Sequence, residues 1–403
     1  MAGGSGERVT RGALADRRAG SLALGGGGGY GQAWSEVCEQ HLVGQLSDAD
    51  ARSFLAKRQI KEPAIAETIC RQAAGVPFYL ELESQLYDKT PAEQRTPELF
   101  GGSRREQIDR LLTFLAPDEQ DTLKLLAAFG IWDQDLFRQA VSHFATGYSA
   151  IGARKLGRFW SIEPIGEGRW QLHNEMAHHL QAEMRQRDPD TFEEIHRWGF
   201  AYFDAPLQGL EAKAIQAADA ERLQRAFGHG QIIQPTADWA AWLEMRLEQL
   251  GKGTIWQPLL AVAERGAEAA AAALGVNNPA VAALLNQQAS LLHNLAEYAA
   301  AEPLYRRALD INEASYGNAH PQVATALNNL ALLLQDTNCL AEAEPLSRRA
   351  LLIFLKSLVR DHPNTQTVIG NYLKILQAQD LSEAELTAKL EALAEAFKNP
   401  EAG

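Results

Sequence analysis

Cysteine, cationic charge, long apolar runs and β-branched runs are all scarce in this 403-residue chain, and each shortage removes a class of explanation. The three cysteines, Cys38, Cys70 and Cys339, lie far apart with no Cys-x-x-Cys and no metal-ligand spacing, which excludes a disulfide framework and a zinc module. They read as buried free thiols, Cys70 and Cys339 among helical positions. No run of 18 apolar residues occurs, and the start Met1-Ala2-Gly3-Gly4-Ser5-Gly6-Glu7-Arg8 has no apolar stretch after it. Neither a membrane span nor a secretory leader is expected, and the chain reads as soluble and cytoplasmic. With 38 Lys+Arg against 51 Asp+Glu the formal net charge is −13. That disfavours nucleic acid, which is held by broad cationic contact to phosphates, and suits protein partners. Few β-branched runs and much Ala and Leu make the fold class mainly α.

Glycine is concentrated rather than scarce. Residues 1–33 carry the run Gly25 to Gly29 with almost no periodic apolar pattern, so a disordered segment is expected. A phosphate-cradling loop would need Gly-Lys-Ser/Thr closing onto a helix, but Gly29 is followed by Tyr30, Gly31 and Gln32. No cofactor is expected.

From Asn277 to Gln379 a motif returns every 42 residues: Pro279, Pro321 and Pro363; Gly275 and Gly317; His320 and His362; Pro303 and Pro345. The phrase Ala301-Glu302-Pro303-Leu304-Tyr305-Arg306-Arg307-Ala308-Leu309-Asp310-Ile311 comes back over Ala343 to Ile353. Such a period means a solenoid of stacked units, each too small to bury its own apolar face. Leu285, Ala289 and Leu292, then Ala301, Leu304, Tyr305, Ala308 and Ile311, recur at helical spacing, so each unit is a pair of antiparallel helices. These residues resemble the tetratricopeptide repeat, and Leu327-Asn328-Asn329-Leu330-Ala331 with the Ala-Glu-Pro-Leu and His-Pro elements resembles its 42-residue, kinesin light chain-like variety. Two repeats are full. A third is degraded, with Gly370 where Asn286 and Asn328 stood.

Ahead of the repeats, Ser47 with Asp50 starts one helix, Pro63 to Gly75 gives a second and Phe78 to Tyr87 a third. A polar linker covers Pro91 to Gly102. Ile108, Leu111, Leu112 and Leu115 mark the next helix, Asp118 caps another, and Trp132 to Val141 supplies one more. Phe159 to Glu163 and Arg169 to His173 alternate around Ile165-Gly166-Glu167-Gly168 as a β-hairpin, followed by a helix over His173 to Gln186. This order is a winged-helix pattern. With Gly75-Val76-Pro77 before it and repeats after it, the stretch Leu46 to Pro189 resembles the rear part of a STAND-type (NB-ARC-like) signalling ATPase. In that resemblance Pro77 and His173 are the positions that would approach a nucleotide. The Walker A motif and the acidic strand end are missing, and too little chain precedes Ser47 for a nucleotide-binding sheet. The expected partition is 1–33 disordered, 34–90 helical bundle, 103–189 winged helix, 190–276 degenerate repeats, and 277–403 repeats with a closing helix whose apolar face holds Leu386, Leu390, Leu393 and Phe397.

Catalytic residues and metal ligands are not expected. His178-His179 beside Glu175 is the nearest approach to a cluster, yet adjacent helical residues diverge by about 100°, and no His-Glu-x-x-His or Gly-x-Ser-x-Gly occurs. His320 and His362 precede prolines and read as turn formers. Arg154, Lys155 and Arg158 are the modest basic cluster that a DNA-reading winged helix would use. The regular polar positions carry the functional expectation. Ala283, Asn286, Ser290, His293 and Asn294 in the first repeat, with Thr325, Asn328, Leu332, Gln335 and Asp336 in the second, fall on the concave side, where Asn can bond a peptide main chain. The chain thus reads as a non-enzymatic adaptor that binds a peptide or partner protein, with no small-molecule substrate. The alternative is a fragment or split subunit of a nucleotide-responsive STAND-type ATPase.

Overall fold

The computed structural model describes residues 45–152, 156, 159–357 and 362–398; the glycine-rich segment, Cys38 and the basic cluster Arg154, Lys155 and Arg158 lie outside them. The chain divides into two units, residues 1–195 and 196–403.

The first unit opens with α1 (Asp48–Lys57), α2 (Pro63–Ala73) and α3 (Pro77–Lys89). Ser47 caps α1 as expected, its Oγ accepting from the Asp50 backbone N–H at 3.2 Å, and the same hydroxyl donates to the Asp50 carboxylate at 2.6 Å. Pro63 and Pro77 occupy first turns, where the missing N–H would have no partner anyway. Gly75 makes the turn between α2 and α3 with φ 75°. A Cβ there would stand 2.4 Å from the Leu46 carbonyl oxygen, so both the backbone sign and the close approach require glycine. Every residue of α3 from Pro77 to Ser84 is buried, which makes it the bundle's central element rather than an amphipathic surface helix.

After two short 3₁₀ turns, which bury Phe100, come α4 (Arg104–Leu112), α5 (Pro117–Phe129), β1 (Ile131–Asp133), α6 (Gln134–Phe144), β2 (Ile162–Gly166), β3 (Arg169–Leu172) and α7 (Asn174–Arg187). Two expectations are corrected. Trp132 belongs to a strand, opposite Trp170 in a three-stranded antiparallel sheet ordered β1-β3-β2; Asp133 stops that strand and caps α6 by accepting from Leu136 N–H at 2.8 Å. Asp118 lies inside the first turn of α5, and the cap is Ala116, whose N–H donates to Glu119 at 3.1 Å. The hairpin turn has φ of 94°, 51° and 71° at Gly166, Glu167 and Gly168, the left-handed geometry that tight hairpins need.

The helix α8 (Pro189–Asp204) spans the boundary between the units, and α9 (Ala217–Ile233), α10 (Thr236–Leu250) and α11 (Trp256–Leu274) follow. Two glycines allow close packing in this stretch. A Cβ on Gly199 would stand 2.7 Å from the His229 ring, and one on Gly266 would stand 2.3 Å from Leu243. Three helical hairpins complete the chain: α12 (Pro279–Asn294) with α13 (Tyr298–Tyr316), α14 (Pro321–Asp336) with α15 (Leu340–Ser357), and α16 (Pro363–Ala378) with α17 (Glu383–Lys398).

The hairpins begin alike. Asn278, His320 and His362 cap α12, α14 and α16, each accepting from the N–H two residues on at 2.9 to 3.2 Å, with proline next in the chain. Gly275 and Gly317, at φ 90° and 79°, end the preceding helices. Leu292, Tyr305, Leu330 and Leu334 join one continuous core across the repeats. The repeats are not identical inside. Tyr305 is buried with its ring edge-on to His293, whereas its counterpart Ser347 is buried with no partner for its hydroxyl among the described residues.

Two further expectations change. Cys70 is a buried thiol, but Cys339 is exposed, in the turn before α15. The closing helix α17 rests on the core through Leu393 and leaves Leu386, Leu390 and Phe397 36–47% exposed.

Candidate functional site

Equal starts bring equal positions of α12, α14 and α16 to one face, and a groove of about 650 Å³ runs along it. Its lining includes Ala283, Asn286 and Ser290 from α12 and Thr325 and Asn328 from α14, five of the ten residues expected there. Sequence reasoning missed Gln287, Asn329, Asn312, Tyr316 and Phe354 on the repeats, and Glu244 and Glu248 on α10, which lies ahead of the 42-residue period.

Three amides of the lining, Asn286, Asn328 and Asn329, are bonded in series with the buried Asn371 behind it. Asn371 donates to Asn328 Oδ1 at 3.1 Å, Asn328 donates to Asn329 Oδ1 at 3.3 Å, and Asn329 donates to Asn286 Oδ1 at 3.1 Å. Asn328 and Asn371 are buried, while Asn286 is half-buried. Asn328 is therefore engaged within the array, because the next repeat covers it and supplies a partner. Gly370 leaves the third repeat without the acceptor that would continue the series.

The other five expected residues fall outside the lining. His293 Nε2 meets Asp336 Oδ2 at 2.7 Å, tying the ends of α12 and α14 together, and the His293 ring lies edge-on to Tyr298 and Tyr305. Asn294 is exposed, and Leu332 and Gln335 are half-buried.

Glu244 sits one helical turn from Glu248. Its carboxyl is pushed above the usual range first by burial and second by Glu248. The exposed Lys252 lies 3.9 Å from Glu248, a distance and setting in which an ion pair contributes little.

In the first unit, of the two positions nominated by resemblance, His173 lies against the residue that follows Pro77. Phe78, next to Pro77, stacks on the His173 ring at 3.9 Å between centroids. His173 caps α7, its Nδ1 accepting from Glu175 N–H at 3.3 Å, and burial lowers its pKa to about 4. Of the histidine pair, His178 is exposed and His179 bonds Asp109 at 2.7 Å. Among the described residues, Asp109, His179 and Glu183 could converge on a cation, but Asp109 is paired with His179 and Glu183 with Arg187 at 2.8 Å. A second hollow, of about 440 Å³, opens beside Glu183, Arg187 and Thr146. Among the described residues, no helix is long and apolar enough to cross a membrane.

Family profiles described as tetratricopeptide repeat match residues 280–338 and 323–364. No curated protein is matched. Among solved structures, 29 chains match. BtubC (BKLC) from P. vanneervenii is similar at 17% identity and a TM-score of 0.38, over 54% of this chain and 84% of that one. A signal transduction ATPase with numerous domains (STAND) with a tetratricopeptide repeat sensor, from Pyrococcus horikoshii, is similar at 11% identity and a TM-score of 0.32. That match covers 88% of this chain, which spans 59% of that protein. The 42-residue period, the helical hairpins and the matched profiles agree: residues 280–364 are tetratricopeptide repeats.

Proposed function

We propose that the groove crossing α10, α12, α14 and α16 holds an extended segment of a partner protein, and that the chain is a non-enzymatic, cytoplasmic adaptor. The observation that carries this reading is the groove itself. It takes lining residues from α10 and from three successive repeats, amides and hydroxyls prominent among them, the kind of surface that suits a peptide main chain. Asn286 accepts one bond from Asn329 and has its amide N–H donors left for such a chain. On this reading 34–90 and 103–189 are a helical bundle and a winged-helix packing module rather than a DNA reader, 190–276 holds degenerate repeats, and 277–403 presents the binding face.

The nucleotide-responsive alternative has less support. His173, the ring it would use, is stacked against Phe78 and serves as a helix cap.

Filling the groove tests the proposal. Ala283→Trp places a large side chain on the lining without touching the interior core. A partner recovered on the parent chain should be lost on this variant while the melting temperature holds. Equal capture by both chains would move the binding surface elsewhere.

A further inference from the structure

We propose that the α10 end of the groove receives a Lys or Arg side chain of the bound segment, so that the partner is a peptide with a cationic residue near one end of its contact. The inference rests on the peptide-groove reading and adds the chemistry of its occupant. Among the described residues that line the groove there is no Lys, Arg or His, and the only charges are Glu244 and Glu248. Both lie on α10, so the charge is gathered at one end, and the lining contributed by α12, α14 and α16 is amide, hydroxyl, alanine, proline and valine.

Two carboxylates at i and i+4 repel each other, and Glu244 forms no ion pair among the described residues. Burial first and Glu248 second push its carboxyl above the usual range. Covering this end with an apolar or acidic segment would strip water from like charges whose cation, among the described residues, is the exposed Lys252 3.9 Å from Glu248, which is unfavourable. A guanidinium or ammonium would satisfy both carboxylates at once through charge-assisted bonds. The groove therefore discriminates by repulsion as well as attraction, rejecting acidic segments at the end where it holds cationic ones.

The test pans a library of short random peptides against the full parent chain at physiological salt, then measures selected synthetic peptides by fluorescence anisotropy. The parent should enrich peptides with Lys or Arg at a fixed position. Their affinity should drop by about tenfold or more on Glu244→Gln/Glu248→Gln, and by a similar factor when that Lys is replaced by norleucine. Glu248→Lys, at an exposed position, should abolish their binding and keeps the test open if the double variant melts early. Peptides that are enriched without a basic residue, lost on Ala283→Trp but unaffected by the Glu variants, overturn this inference and leave the groove reading standing. A library that yields no binder, or binders indifferent to Ala283→Trp, overturns the groove reading and this inference with it.

Discussion

Glu83 in the first unit and Asn328 in the second are both polar side chains buried within a helical array, and they meet burial in different ways. Among the described residues neither carboxylate oxygen of Glu83 has a hydrogen-bond partner, and burial, eased by the nearby Arg110, raises its pKa to about 8. Asn328 accepts from Asn371 and donates to Asn329. The difference follows from how each region is built. A repeat places like groups one period apart, so an amide, which both donates and accepts, meets its own kind in the next unit. The bundle of α1 to α4 has no such translation, and its buried acid avoids the cost of a naked charge by keeping its proton.

The largest expected effect comes from breaking that arrangement with pH. The folded pKa of Glu83 lies above the ordinary 4.5, so the stability linked to its proton is complete below about pH 4.5 and is lost as the pH climbs through 8. Over that window the loss is on the order of 4 to 5 kcal/mol. Hydrogen-exchange protection factors for α3 should fall between pH 5 and pH 9 in the parent chain and stay nearly level in Glu83→Gln. Parallel pH profiles for the two chains would remove Glu83 from the account.

A smaller effect should come from cutting the amide series. Asn328→Ala leaves a buried donor on Asn371 and a half-buried acceptor on Asn329, which costs about 1 to 3 kcal/mol. Asn286→Ala removes a half-buried group with one such bond, and about 1 kcal/mol or less is expected. Urea denaturation of the two variants should therefore separate them; equal losses would mean that burial does not distinguish the two sites.

The smallest change should be a gain. Gly370 lies inside α16, and a Cβ built there meets nothing within 4 Å. Gly370→Ala should stabilise the third hairpin by about 0.5 to 1 kcal/mol, read as a higher urea midpoint. A lower midpoint would show that the opening beside this glycine is needed by the fold.

Much of this was legible because it is written in local rules. Pro279, Pro321 and Pro363, the caps before them and the glycines at 275 and 317 fix where each helix begins and ends without reference to the rest of the chain. What was not legible depends on partners distant in sequence. Three residues, Ile131–Asp133, are too few to show alternation, so Trp132 looked helical until its strand partner was in place. The amide bonds run between positions 43 residues apart, one more than the period, and a comparison of equivalent positions passes over them. Glu244 and Glu248 lie in a helix with no match to the repeat phrase, and nothing in their own neighbourhood marks them as part of a groove. Leu386, Leu390 and Phe397 trace an apolar face correctly, but the pattern does not say whether anything covers it.

The two amide bonds between repeats run the same way, from Asn371 back to Asn328 and from Asn329 back to Asn286. Amides aligned in this manner give the array a head and a tail, since the oxygens of Asn286 and Asn328 face later repeats and the N–H groups of Asn329 and Asn371 face earlier ones. A polypeptide is directional in the same sense, its own N–H and C=O groups ordered along its length. A segment lying in one direction would face this file of dipoles differently from the same segment reversed, so the array carries a sense of orientation that does not depend on the side chains of its guest.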